Sequence, residues 1–216
     1  MPINMNPLVV YDLETSDKVP TTCYPLEVCA QVYNPRTLKP YPNGLFHSFM
    51  DLPEGHIPQE EALKVNGIKR EDIAGFPNHK VVWNQFVDFI RKFNSKGTDW
   101  TAPISVGKNI RNFDNIIARR MCAEFCPNKE KTVLFNSWRC VDLEDLLWPF
   151  FESEGELKSM KMDELRPWLG METEGAHGAK VDCFQEGALA MRFLGWLRNN
   201  YKQNKSKFKG SFRNGS

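Results

Sequence analysis

Residues 9–15, VVYDLET, constrain this chain more than any other stretch, because they read as a buried strand that ends by presenting two carboxylates. Side chains alternate between the faces of a strand, so Asp12 and Glu14 share one face while Leu13 points into the core. Two carboxylates side by side repel, and burying the pair without a shared cation is costly. Hard divalent cations with oxygen ligands, Mg²⁺ or Mn²⁺, are the natural remedy. An isolated D-x-E is common, and as a rule marks only a strand that ends at a solvated turn. The metal reading therefore needs partners further along the chain.

The rest of the chain has room to supply them. Its 216 residues, 41% apolar and 25% charged, have the composition of one ordinary globular domain. No apolar run is long enough to span a bilayer, and no basic region precedes the short apolar stretch at the start. The expectation is no signal peptide, no membrane association, and a cytoplasmic or otherwise intracellular, reducing location. Cys23, Cys29, Cys122, Cys126, Cys140 and Cys183 show no CxxC spacing and are expected as buried free thiols. Cys122 and Cys126 lie one helical turn apart, but two further zinc ligands at suitable spacing are not evident. The formal net charge of +1 hides an asymmetry. Lys202, Lys205, Lys207, Lys209 and Arg213 crowd the last sixteen residues without an acid, and removing those five charges leaves residues 1–200 at −4. Residues 201–216 accordingly read as a basic, flexible tail, either a phosphate contact or a solubilising end.

Along the chain, strands are expected at residues 9–15, 26–33 and 45–50, with a proline-rich turn at 34–44. A helix follows over about 57–68, with Ala62, Leu63 and Val65 inward and Gly67 closing it. Val82, Phe86, Phe89, Ile90 and Phe93 recur at helical spacing over 80–93, an aromatic stripe that belongs to the core. Residues 102–106 read as a buried strand. The next helix starts near Asn112, with Phe113, Ile116, Ile117 and Met121 on one face, which puts Asp114 in its first turn. A last strand is expected over 133–141, then helices over 142–151 and 160–169, the second shortened or kinked by Pro167. The final helix spans about 179–201, with Val181, Phe184, Ala188 and Met191 as its buried stripe and Glu186 on its surface.

Three pieces then line up in chain order: YDLET (11–15), NFDN (112–115) and HGAKVD (177–182). They resemble the three motifs of the DEDDh, or DnaQ-like, 3′–5′ exonucleases, and residues 57–73 are similar to the segment between the first two motifs in many members. The resemblance runs to about Leu197 and implies an exonuclease domain over residues 1–200. It implies an α/β fold of the ribonuclease-H-like type, with a mixed five-stranded sheet flanked by helices. Carried over, Asp12, Glu14, Asp114 and Asp182 are the metal-binding carboxylates and His177 the general base. The offset of five between His177 and Asp182 is the His-subfamily spacing; the Tyr subfamily has Tyr where Gly178 stands. Leu13 and Thr15 are implied to lie against the terminal nucleotide. Asn109 and Ile110 stand where many members have His-Asn, and Asn66 where His-Gly-Ile is frequent; Asn66 and Asn109 complete the candidate substrate contacts.

The chemistry explains the residue types. Two Mg²⁺ or Mn²⁺ ions, typically about 3.5–4 Å apart in such sites, activate a water and stabilise both the phosphate and the leaving oxygen. Four acids serve as their clamp. A histidine with an ordinary pKa near ~6.5 takes the water's proton at neutral pH from a glycine-flanked loop. The implied function is hydrolysis of single-stranded nucleic acid from a free 3′ end to nucleoside 5′-monophosphates, DNA slightly favoured, with a polymerase or other replication protein as a possible partner. The rivals are a 3′ exoribonuclease, which contacts to the 2′ hydroxyl would mark, and a non-catalytic nucleic-acid-binding module on the same fold.

Overall fold

A computed structural model of the chain describes residues 5–126, 133–152, 155, 158–171 and 178–211. Five strands form one sheet in the order β3-β2-β1-β4-β5: β1 (Leu8–Thr15), β2 (Pro25–Tyr33), β3 (Pro40–Phe49), β4 (Ile104–Gly107) and β5 (Cys140–Asp142). β1 pairs antiparallel with β2 and parallel with β4. The mixed five-stranded sheet is thus as expected. Two strands differ from expectation. β3 starts at Pro40 inside what reads as a turn, which an edge strand permits because the missing N–H need not enter a ladder. β5 is three residues long rather than nine, since it pairs only with Ser105–Gly107 of the short β4.

The helices are α1 (Glu60–Asn66), α2 (Arg70–Ile73), α3 (His79–Arg91), α4 (Asp114–Phe125), α5 (Leu143–Phe151), α6 (Met162–Trp168), α7 (Ala179–Gln203) and α8 (Lys205–Ser211). α2 has no counterpart in the sequence reading, and Val65 of α1 is exposed rather than inward. The basic end is helical as far as Ser211.

Two cores sandwich the sheet, and β1 divides them by alternation. Val9, Tyr11 and Leu13 face α3 and α4, where Val82, Phe86, Ile90, Ile117 and Met121 are buried. Leu8 and Val10 face α5, α6 and α7. The aromatic stripe of α3 is therefore core, as its spacing requires. α7 differs: Phe184 is exposed, and the buried side is Ala179, Cys183, Glu186, Gly187, Leu189, Ala190 and Met191. Small residues are needed there because the helix lies close against the sheet. A Cβ on Gly187 would sit 2.5 Å from the Tyr33 hydroxyl of β2. All six cysteines are free thiols, but Cys126 and Cys140 are half-buried rather than buried.

Candidate active site

β1 carries Asp12 and Glu14 to its C-terminal end, and a register shift between Glu14 and Thr15 bends the strand there. Alternation sends both acids to the α7 side, where Asp182 lies in the first turn of α7. Asp12, Glu14 and Asp182 each offer a carboxylate oxygen, all within 4.8 Å of one another. Asp114 opens α4, is 5% exposed, and its Oδ1 has no hydrogen-bond partner among the described residues. A cavity of about 370 Å³ is lined by Asp12, Asp114, Asp182 and Glu186, together with Leu13 and Asn109.

The carboxylates crowd one another, and their electrostatics follow from that crowding. Burial, then Asp114, Glu186, Glu14 and Asp182, push the Asp12 carboxyl well above its usual range. Asp114 is raised likewise, by burial and Glu186, partly offset by backbone N–H groups. Burial, with Asp182 and Glu27, raises Glu14 to about 7. Crowded carboxylate oxygens, one of them the buried Asp114 Oδ1 without a hydrogen-bond partner among the described residues, fit a hard cation. Asp12, Glu14 and Asp182 bring their oxygens close enough to share one cation, and Asp114 faces the same cavity.

Four residues absent from the sequence-based site organise it. Glu186 is 5% exposed, not a surface carboxylate; its Oε2 accepts the Lys108 N–H at 3.1 Å, and burial raises its pKa to about 8. Asp142 accepts the N–H groups of Asn109 (3.0 Å) and Arg111 (3.2 Å), so two carboxylates pin the loop that delivers Asp114. Asn109 itself has positive φ, 51°, a turn conformation that asparagine tolerates. Glu27, opposite Glu14 in the sheet, accepts the Ala179 N–H at 3.2 Å through Oε2 and His47 Nε2 at 2.7 Å through Oε1. A carboxylate at the start of α7 suits the helix dipole and fixes the turn that holds Asp182.

Arg166 of α6 is the fourth. It is 2% exposed; its guanidinium donates to Asp163 Oδ1 (2.9 Å), Gln185 Oε1 (2.5 Å) and Asp182 Oδ1. A permanent cation thus stands beside one of the candidate metal ligands. The i,i+4 offset of Glu186 from Asp182, placing both on one helix face, is a sequence signal for Glu186. Arg166 and Glu27 have none.

The other expected contacts are placed as follows. Thr15 is buried, its hydroxyl donating to Asp17 O at 2.7 Å. Asn66 is buried and donates to Thr15 O at 2.9 Å. Thr15 and Asn66 thus brace the strand end, and neither lines the carboxylate cavity. His177 lies outside the described residues; Gly178, which follows it, is the N-cap of α7.

No protein-family model matches the chain, and no curated protein matches it by sequence. Solved structures do match. Exonuclease I superposes with TM-score 0.70 at 16% identity, covering 90% of this chain and 43% of its own. E. coli exonuclease I in complex with a dA16 oligonucleotide gives 0.70 at 16%, covering 95% of this chain and 45% of its own. Cell-death related nuclease 4 (CRN-4) gives 0.66 at 15%, covering 88% and 64%. The chain thus has the ribonuclease-H-like fold of exonuclease I and spans less than half the length of that protein.

Proposed function

We propose that this chain is a metal-dependent 3′–5′ exonuclease acting on single-stranded nucleic acid, DNA in preference to RNA, and releasing nucleoside 5′-monophosphates. The observation that carries the reading is the convergence of Asp12, Asp114 and Asp182, from three separate elements, on one cavity with Glu14 alongside. The fold it shares with an exonuclease solved on a dA16 oligonucleotide supports the same reading. Asp12, Glu14, Asp114 and Asp182 would hold two Mg²⁺ or Mn²⁺ ions. When bound, such ions supply charge that offsets the carboxylates and the negative charge growing on the scissile phosphate. His177, five residues before Asp182, takes the proton of the attacking water. Leu13 and Asn109, which line the cavity, would meet the terminal nucleotide, with Thr15 and Asn66 holding the strand end behind them. The reading requires no polymerase partner.

The direct test incubates the protein with 5′-labelled and 3′-labelled single-stranded DNA and RNA of equal sequence, with Mg²⁺, Mn²⁺ or chelator. A ladder that shortens the 5′-labelled strand stepwise, with monophosphate released from the 3′ label and none in chelator, is expected. Faster cleavage of RNA would shift the substrate to that of an exoribonuclease. No cleavage of either polymer would leave the binding module.

Arg166 makes a second prediction. A guanidinium and a divalent ion both claim Asp182, so each weakens the hold of the other. Arg166→Met should tighten Mn²⁺ binding about tenfold in titration calorimetry, equivalent to about 1.4 kcal/mol, while lowering the melting temperature in chelator. Unchanged or weaker Mn²⁺ binding would make Arg166 a framework residue only.

A further inference from the structure

A second cavity, of about 440 Å³, opens between α4 and residues 133–139. Arg111, Arg119, Arg139 and Trp138 line it, over an apolar floor that includes Ala118, Cys122 and Leu134. Among the described residues Arg119 and Arg139 carry no hydrogen bond or ion pair, whereas Arg111 pairs with Asp145 at 3.2 Å and also engages the Cys140 side chain. The one acid in the lining, Asp99, is engaged by the Ser137 N–H at 2.8 Å and the Ser137 hydroxyl. In a body whose first 200 residues carry a formal charge of −4, three guanidiniums around one opening form a strong local reversal. Trp138 is 73% exposed, and Trp100, 66% exposed, lies nearly parallel to it, at 12° with ring centroids 6.2 Å apart. Large, open aromatic planes beside unpaired arginines suit a ligand with both π-faces and phosphates.

The cavity is tied to the carboxylates. Asn115 lines it, next in sequence to Asp114, and accepts the hydroxyl of Tyr11, the neighbour of Asp12, at 2.9 Å. Asp12 and Asp114 therefore face one cavity, while Tyr11 and Asn115 belong to the other side of the same β1–α4 junction. The loop between β4 and α4 borders both, with Asn109 on the carboxylate cavity and Arg111 on this one. Two residues of chain span at most about 7 Å, so a strand crossing that loop passes from one cavity to the other within a few nucleotides.

We propose that this cavity binds the upstream part of the same single-stranded nucleic acid whose 3′ end enters the carboxylate cavity, an inference that rests on the nuclease reading. The arginines take backbone phosphates and Trp138 stacks a base, so the contact is insensitive to sequence. Its consequence is a preference for strands long enough to fill both cavities.

The test measures anisotropy of labelled oligomers of about 20 and about 4 nucleotides, as DNA and as RNA, on the full chain in chelator across a salt series. The Arg119→Glu/Arg139→Glu variant should lose at least about tenfold in affinity for the longer strand and less than about twofold for the shorter. Neutralising the same pair as Arg119→Ala/Arg139→Ala should flatten the salt dependence by about 1.4, the release expected from two phosphate contacts on a single strand. Trp138→Ala should cost at least about fivefold on the longer strand. These side chains are exposed, and melting curves check that the fold is kept. Equal affinities and equal salt slopes in parent and variants would overturn the proposal, as would a parent that binds the longer strand no better than the shorter. Because binding is read without metal, a parent that binds but does not hydrolyse in Mn²⁺ would sink the nuclease reading and leave this site standing.

Discussion

Asp12→Asn should reduce hydrolysis by at least about a thousandfold and yet raise the melting temperature of the metal-free protein at pH 8. Both effects come from the same charge. Asp12 is pushed up by burial and by Asp114, Glu186, Glu14 and Asp182, so in the absence of cations its ionised form is strongly disfavoured. Removing that charge removes a candidate ligand and relieves the repulsion together. The sign with pH follows from linkage. Carboxyls whose pKa is higher in the folded state than in the unfolded chain contribute stability fully below the unfolded value, near ~4.3 for glutamate, and lose it as pH rises through the folded value. For Glu14 and Glu186 the folded values are about 7 and about 8. Metal-free stability should therefore decline from about pH 4.5 to about pH 8, with the Glu14 shift alone corresponding to about 3 kcal/mol. Mn²⁺ should restore most of that loss at pH 8 in the parent and less in Asp12→Asn. Calorimetric melts at several pH values, with chelator and with Mn²⁺, read this directly. Parent-like hydrolysis by Asp12→Asn, or a metal-free parent most stable at pH 8, would remove the basis for the carboxylate site.

The site was legible where chemistry repeats in chain order and illegible where it depends on tertiary approach. Asp12 and Glu14 follow from alternation along one strand, Asp114 and Asp182 from positions in the first turn of their helices, and each occupies the expected element. The stripes of β1, α3 and α4 were visible because large apolar side chains mark them. On α7 the same reasoning misplaced the buried side. It weighs side chains by size, whereas close approach to the sheet demands Cys183, Gly187 and Ala190, and leaves Phe184 outside. That error is also why Glu186 looked like a surface carboxylate. β5 could not be delimited, because three residues paired to a four-residue strand leave no periodicity to read. Arg166 is invisible in sequence for a different reason: an arginine on a seven-residue helix is ordinarily solvated, and only the approach of α6 to α7 buries it against Asp182.

His177→Ala is expected to lower single-turnover cleavage by on the order of 10² to 10⁴, the usual scale for a positioned base, while metal affinity stays at the parent value. The separation follows from the donor set. Asp12, Glu14 and Asp182 bring carboxylate oxygens within 4.8 Å of one another without any histidine, and Asp114 adds an unclaimed oxygen. The pH profile carries the sharper distinction. A base must be neutral, so the parent rate should fall as pH drops through the imidazole range, near ~6.5. Glu14 and Glu186 also take up protons as pH falls, through about 7 and about 8 in the metal-free site, and by themselves would give a slope of the same sign. Saturating Mn²⁺ separates the two. Cation binding favours the ionised carboxylates and moves their titration to lower pH, whereas an imidazole that does not ligate the metal feels only the through-space charge and is shifted less. The acid limb of the parent should therefore persist at saturating Mn²⁺ and be lost in His177→Ala, leaving a lower, flatter profile. An acid limb retained by the variant would assign it to the carboxylates, and a variant that cleaves at the parent rate would mean that another group takes the proton. Weakened Mn²⁺ binding in His177→Ala, as severe as in Asp182→Asn, would instead move the histidine into the metal shell.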